Sequence, residues 1–164
     1  MQHTISVLMN NHFGVLSRIS GLFSGRGFNI ESLNVAETSD PNISRMTIVT
    51  IGDKAKIEQI TKQLNKLVDV IKVVDLTEEN FVDRELVLIK MNAEPRVREE
   101  MLRIVELFRA RVVDVSSSTY TIEITGDEGK INSFLELLNP LGVKEVVRSG
   151  RIAIGRGNKS LSSN

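Results

Sequence analysis

The apolar positions change period along the first half of the chain. Ile5, Val7 and Met9 alternate with Ser6, the two-residue period of a strand over residues 3–9, and the apolar Leu8 points to burial on both faces. Val15, Leu16, Ile19, Leu22 and Phe23 then recur at helical spacing, and Gly25 and Gly27 offer that helix a C-terminal stop. Strands follow at 29–37 and 45–51, joined by the turn Ser39-Asp40-Pro41-Asn42. Asp53 is placed to cap a second helix, whose stripe is Ile57, Ile60, Leu64 and Leu67. Residues 70–74 close the series as a fourth strand. The order βαββαβ is that of a split, ferredoxin-like unit.

The second half repeats it. Residues 84–91 read as a strand, and Val97, Met101, Ile104, Val105 and Phe108 form a helical stripe. Strands at 112–116 and 120–125 precede a helix carrying Ile131, Phe134, Leu135 and Leu138, and 143–147 is a last short strand. Identities recur too. Thr47-Ile48, Gly52-Asp53 and Lys56-Ile57 align with Thr121-Ile122, Gly126-Asp127 and Lys130-Ile131 at a constant offset of 74. The reading is an α+β protein of two tandem ferredoxin-like units: 1–76, a linker at 77–83, and 84–148. Residues 149–164, rich in Gly, Ser and Asn, read as a flexible tail or as a segment that orders on a partner.

Composition narrows the function. In 164 residues, Lys plus Arg equals Asp plus Glu at 21 each, so no net charge draws the chain to nucleic acid or anionic lipid. There is no cysteine, which removes disulfides, thiolate metal sites and cysteine nucleophiles. The beginning, MQHTISVLMNN, has neither signal-peptide nor transit character, and no apolar run approaches the roughly 20 residues needed to span a bilayer. A soluble, cytoplasmic protein is expected.

Catalytic constellations are sparse. His3 and His12 stand alone, without metal-ligand spacing, and read as a strand-end and a loop residue. Glu78-Glu79 and Glu99-Glu100 read as solvated helix surface. Gly25-Arg26-Gly27 follows a helix, the wrong place for a phosphate loop. At 4% aromatics, no strand carries the stacked rings of an RNA-binding sheet. The loop Asn10-Asn11-His12-Phe13-Gly14 before the first helix is different. Free N–H groups and the positive end of a helix dipole favour an anion, Gly14 permits a tight turn, and Asn11 adds an amide. A small zwitterion suits this place, as does a plain Asn/Gly turn capping a helix. The equivalent second loop, Asn92-Ala93-Glu94-Pro95-Arg96, carries an acid and a proline and is a poor carboxylate host.

Around this loop a resemblance emerges. Asn11-x-x-Gly14-Val15-Leu16-Ser17-Arg18 and Gly21-Leu22-Phe23-Ser24-x-Arg26-Gly27-Phe28-Asn29-Ile30-Glu31-Ser32-Leu33 resemble the ACT domain of acetolactate synthase small subunits. Asp40-Pro41, Ser44-Arg45-Met46-Thr47, Phe108-Arg109-x-x-Val112-Val113-Asp114-Val115 and Arg148-Ser149-Gly150 extend it over nearly the whole chain. The resemblance implies a non-catalytic regulatory subunit whose large partner holds thiamine diphosphate, Mg and FAD, with no cofactor in this chain. It implies activation of that subunit, feedback inhibition by a branched-chain amino acid (usually valine), and ACT domains joined edge to edge in a homodimer with the effector between them. The carried-over effector positions are Asn11, Gly14, Val15, Leu16, Asn29 and Ile30. His12-Phe13 departs from the smaller or polar residues common there. An ACT sensor serving another metabolic enzyme is the alternative.

Overall fold

The computed structural model describes residues 1–162. Two compact units divide the chain, Met1–Val82 together with Arg151 onward, and Asp83–Gly150.

The first unit runs β1 (Gln2–Asn10), α1 (Val15–Gly25), β2 (Ile30–Glu37), β3 (Ile43–Ile51), α2 (Lys54–Asn65) and β4 (Val70–Asp75). Its antiparallel sheet has the order β2-β3-β1-β4, the interleaving that βαββαβ connections enforce. Alternate residues of the sheet, Ile5, Val7, Met46 and Ile48 among them, meet Ile19 and Phe23 of α1 and Ile57, Ile60 and Leu64 of α2 in one core. Asp53 caps α2 by accepting from the Lys56 N–H at 2.9 Å. Beside that cap, a Cβ on Gly52 would lie 2.7 Å from the Phe28 ring, so a side chain there would have to displace the ring.

The second unit runs β5 (Phe81–Asn92), α3 (Pro95–Leu107), β6 (Arg111–Val115), β7 (Thr119–Gly126), α4 (Glu128–Leu138), a 3-10 turn at Asn139–Leu141, and β8 (Val143–Arg148). Its strands follow the matching order β6-β7-β5-β8. The repeat extends to atoms: Asp127 caps α4 through the Lys130 N–H, also at 2.9 Å. The core gathers Val87, Ile89, Met91, Met101, Ile122, Ile131 and Phe134.

The segment after Gly150 departs from the flexible tail that its composition suggests. Ile152–Gly155 form a strand, β9. The backbone of this segment accepts two side-chain bonds from the first sheet, Asn34 Nδ2 to the Arg151 carbonyl at 3.2 Å and an Arg45 nitrogen to the Ala153 carbonyl at 2.9 Å. Arg151 in return donates to Thr4 Oγ1 at 2.8 Å. Polar side chains and main chain hold the segment, so its Gly- and Ser-rich sequence carries little apolar signal. Residues His3–Met9 of β1 are all buried, and on the face away from the helices the segment after Gly150 meets Thr4 and lies near Ser6. Ser163 and Asn164, the last residues of the expected tail, lie outside the described residues.

Candidate functional site

Gly14 sets the geometry at the start of α1. Its φ of 84° is left-handed, a conformation that glycine adopts without a Cβ penalty, and its carbonyl accepts the Arg18 N–H at 3.1 Å. No side chain caps the helix. The Val15 N–H donates to the His12 carbonyl at 3.4 Å, while the N–H groups of Leu16 and Ser17 have no acceptor among the described residues. These are the orphan donors of a helix N-terminus, facing solvent at an exposed turn. Val15 is buried as an anchor, and Leu16 is exposed.

The loop ahead of Gly14 is pinned on both sides. The Asn11 N–H donates to the Asn42 carbonyl at 2.7 Å, and its Nδ2 donates to the Pro41 carbonyl at 2.9 Å and to Glu37 at 3.3 Å. With both amide hydrogens engaged, the group Asn11 can offer a ligand is its Oδ1 acceptor, which suits an ammonium. On the other side Asp69 receives His12 at 3.2 Å and Arg18 at 2.8 Å. The Phe13 ring is fully exposed, so it leaves the turn itself open.

Asn29 and Ile30 lie elsewhere. The register pairs Ile30 with Thr50 and Glu37 with Ser44, while β1 pairs Gln2 with Ile51 and Asn10 with Ile43. Asn29 therefore sits at one end of the sheet and Asn11 at the other. The Asn29 carbonyl accepts from Thr50 Oγ1 at 2.7 Å, and its amide donates to Glu31 at 3.4 Å. The structure brings together Asn11, Gly14, Val15 and Leu16 and keeps Asn29 and Ile30 apart from them within one chain. Glu37 and Asp69, which orient the loop, carried no motif signal of their own.

The second unit's loop is filled by its own groups. The Glu94 carbonyl takes the N–H of both Val97 and Arg98, the Glu94 carboxylate pairs with Arg96 at 2.8 Å, and the Ala93 carbonyl accepts from Arg98 at 2.7 Å. His3 lies one residue in from the start of β1, the strand-end position expected, and is buried there with Nδ1 2.7 Å from Asp75. One expectation needs correction. Glu78 and Glu79 stand in the turn after β4, not on a helix, and pair with Lys54 and Lys159. Among the described residues no group of three or more His, Asp or Glu side chains is placed to hold a metal, and no helix is long and apolar enough to cross a membrane.

Comparison with known proteins agrees with this architecture. Residues 5–72 match the family described as the AHAS small subunit-like ACT domain, and residues 84–157 match the small subunit of acetolactate synthase. The acetolactate synthase small subunit of Aquifex aeolicus is 54% identical over 94% of this chain and 81% of its own length. The probable acetolactate synthase small subunit of Archaeoglobus fulgidus is 52% identical over 97% of this chain and 99% of its own. The crystal structure of the small subunit from Thermotoga maritima superimposes with a TM-score of 0.88 at 41% identity, covering 97% of this chain and 99% of that one. A tandem ferredoxin-like fold, matched over nearly its whole length by these proteins, places the chain in the acetolactate synthase small-subunit family.

Proposed function

We propose that this chain is the non-catalytic regulatory subunit of an acetolactate synthase, which activates a catalytic large subunit and makes it sensitive to a branched-chain amino acid, valine first among them. The observation that carries the sensing role is the uncapped N-terminus of α1 behind Gly14, with the Leu16 and Ser17 N–H groups open and the Asn11 amide in the loop ahead of them. The effector's carboxylate rests on those N–H groups, where the dipole adds roughly 0.3–1 kcal/mol. Its ammonium meets acceptors such as Asn11 Oδ1, and its branched side chain covers exposed Leu16.

The remaining positions join through a second copy. β2 is an edge strand with an unpaired side. When two β2 strands pair antiparallel about a two-fold axis, Ile30 of one chain comes opposite the Glu37 end of the other, the end that Asn11 contacts. Asn29 of one protomer thus completes the site begun by Asn11 and Gly14 of its partner. Pairing through β4, the opposite edge, brings no such residues together. For a ligand of so few atoms the affinity falls between micromolar and sub-millimolar, about −5 to −8 kcal/mol.

Reconstitution with the large subunit tests this. Gly14→Asp puts a negative side chain where the effector's carboxylate sits. The variant is expected to activate the large subunit fully yet lose valine inhibition; wild-type inhibition in a folded Gly14→Asp protein removes the effector from this loop. Acetolactate formation by the pure chain alone overturns the non-catalytic role.

A further inference from the structure

The face of the first sheet away from the helices meets the segment after Gly150 around a second cavity. Ser6, Arg45 and Lys72 line it from three adjacent strands, with Lys159 and Ser160 opposite, and its volume is about 220 Å³. Val74, Leu76 and Leu161 supply an apolar wall. Every lining residue belongs to the first unit, and none is among the effector positions described above.

Two independent features mark it as a binding site. Ser6 is completely buried, and its Oγ has no hydrogen-bond partner. An unmade bond of that kind costs about 1–3 kcal/mol and is rare in native structures. The charge is also unbalanced. Three cations, Arg45, Lys72 and Lys159, face one carboxylate, Glu79, which lies 3.3 Å from Lys159. Arg45 spends one nitrogen on the neutral Ala153 carbonyl, and Lys72 pairs with no carboxylate among the described residues. Burial lowers the Arg45 pKa from its ordinary value, as for a cation partly stripped of water without a countercharge.

We propose that this cavity binds a short-chain carboxylate, its anionic head held by Lys72, Arg45 and the Ser6 hydroxyl and its apolar end against Val74, Leu76 and Leu161. The volume equals that of roughly seven waters, room enough for an acid of four or five carbons. The apolar wall favours such an acid over inorganic phosphate, whose oxygens it leaves unpaired. A ligand bridging Lys72 on the sheet and Lys159 on the terminal segment also ties that segment down.

Nitrogen-15 spectra of the full chain, titrated with isovalerate, isovaleramide or inorganic phosphate, test the proposal. Isovalerate is expected to give saturable shifts at the amides of Ser6, Lys72, Gly155, Lys159 and Leu161. These persist in Gly14→Asp, which separates this cavity from the sensing loop. Loss of a charge-assisted bond in Lys72→Met is expected to weaken binding about tenfold, and Ser6→Ala several-fold. The proposal falls if no shift at these amides saturates, or if isovaleramide binds equally. Equal binding by phosphate overturns the assignment to a short-chain acid. Unchanged binding in both Lys72→Met and Lys159→Met, each altering a solvent-facing chain end, overturns the role of the cations.

Discussion

Asn11 and Asn29, both proposed effector positions, occupy opposite ends of the first sheet: Asn11 follows the Asn10–Ile43 pair, and Asn29 precedes the Ile30–Thr50 pair. In the proposed dimer each chain contributes two half-sites, and a two-fold partner joined through β2 would turn them into two whole ones.

The terminal segment should stabilise the first unit. Ending the chain at Gly150 removes the Asn34, Arg45 and Arg151 hydrogen bonds and uncovers Thr4 and Ser6 of β1. Four hydrogen bonds at about 0.5–1 kcal/mol each give an expected loss of roughly 2–4 kcal/mol. Urea unfolding of residues 1–150 is expected to show a lower midpoint for the first unit; an unchanged midpoint contradicts the packing.

Each unit has its own core, so damage should stay local. Phe23→Ala empties a fully buried site in the first core and is expected to cost about 3–5 kcal/mol. Hydrogen exchange should then accelerate at Ile5, Val7 and Ile48 while Ile89 and Ile122 keep their protection. Phe134→Ala, in the second core, should reverse the pattern.

The matched caps give an internal control. Asp53→Ala and Asp127→Ala each remove one carboxylate-to-N–H bond of 2.9 Å at an exposed helix start. Both are expected to lower stability by about 1 kcal/mol in denaturant titrations, and a large difference between them would show that the two repeats are not equivalent there.

The strands and helices were legible because apolar side chains define them. Period-two and helical stripes located every element of both βαββαβ units, and Asp53 was legible as a cap, whereas Asp127 was marked only as its counterpart in the repeat. The apolar Leu8 signalled a second buried face of β1, but nothing named its cover. Residues 151–155 bind through carbonyls and Arg151, and backbone acceptors leave no mark on composition. His3 was read correctly at a strand end, but its hydrogen bond to Asp75, 72 residues away, leaves no local pattern. At the loop before α1, Gly14 and Asn11 stood out by residue type, whereas Glu37 and Asp69 act by position and are visible only once β2 and β4 are in place.

The central claim is that the effector site joins Gly14 and Asn11 of one chain with Asn29 of another, and mixed dimers test it most directly. Homodimers of Gly14→Asp, or of Asn29→Ala, carry one lesion in every site and are expected to bind valine weakly. When the two variants are unfolded together and reassembled, half of the dimers are mixed, and each of those places both lesions in one site and leaves the other intact. Calorimetry of the mixture should therefore recover wild-type affinity at about one quarter of the sites. No recovery, with dimers confirmed by light scattering, would mean that each site is built within a single chain and would contradict the account.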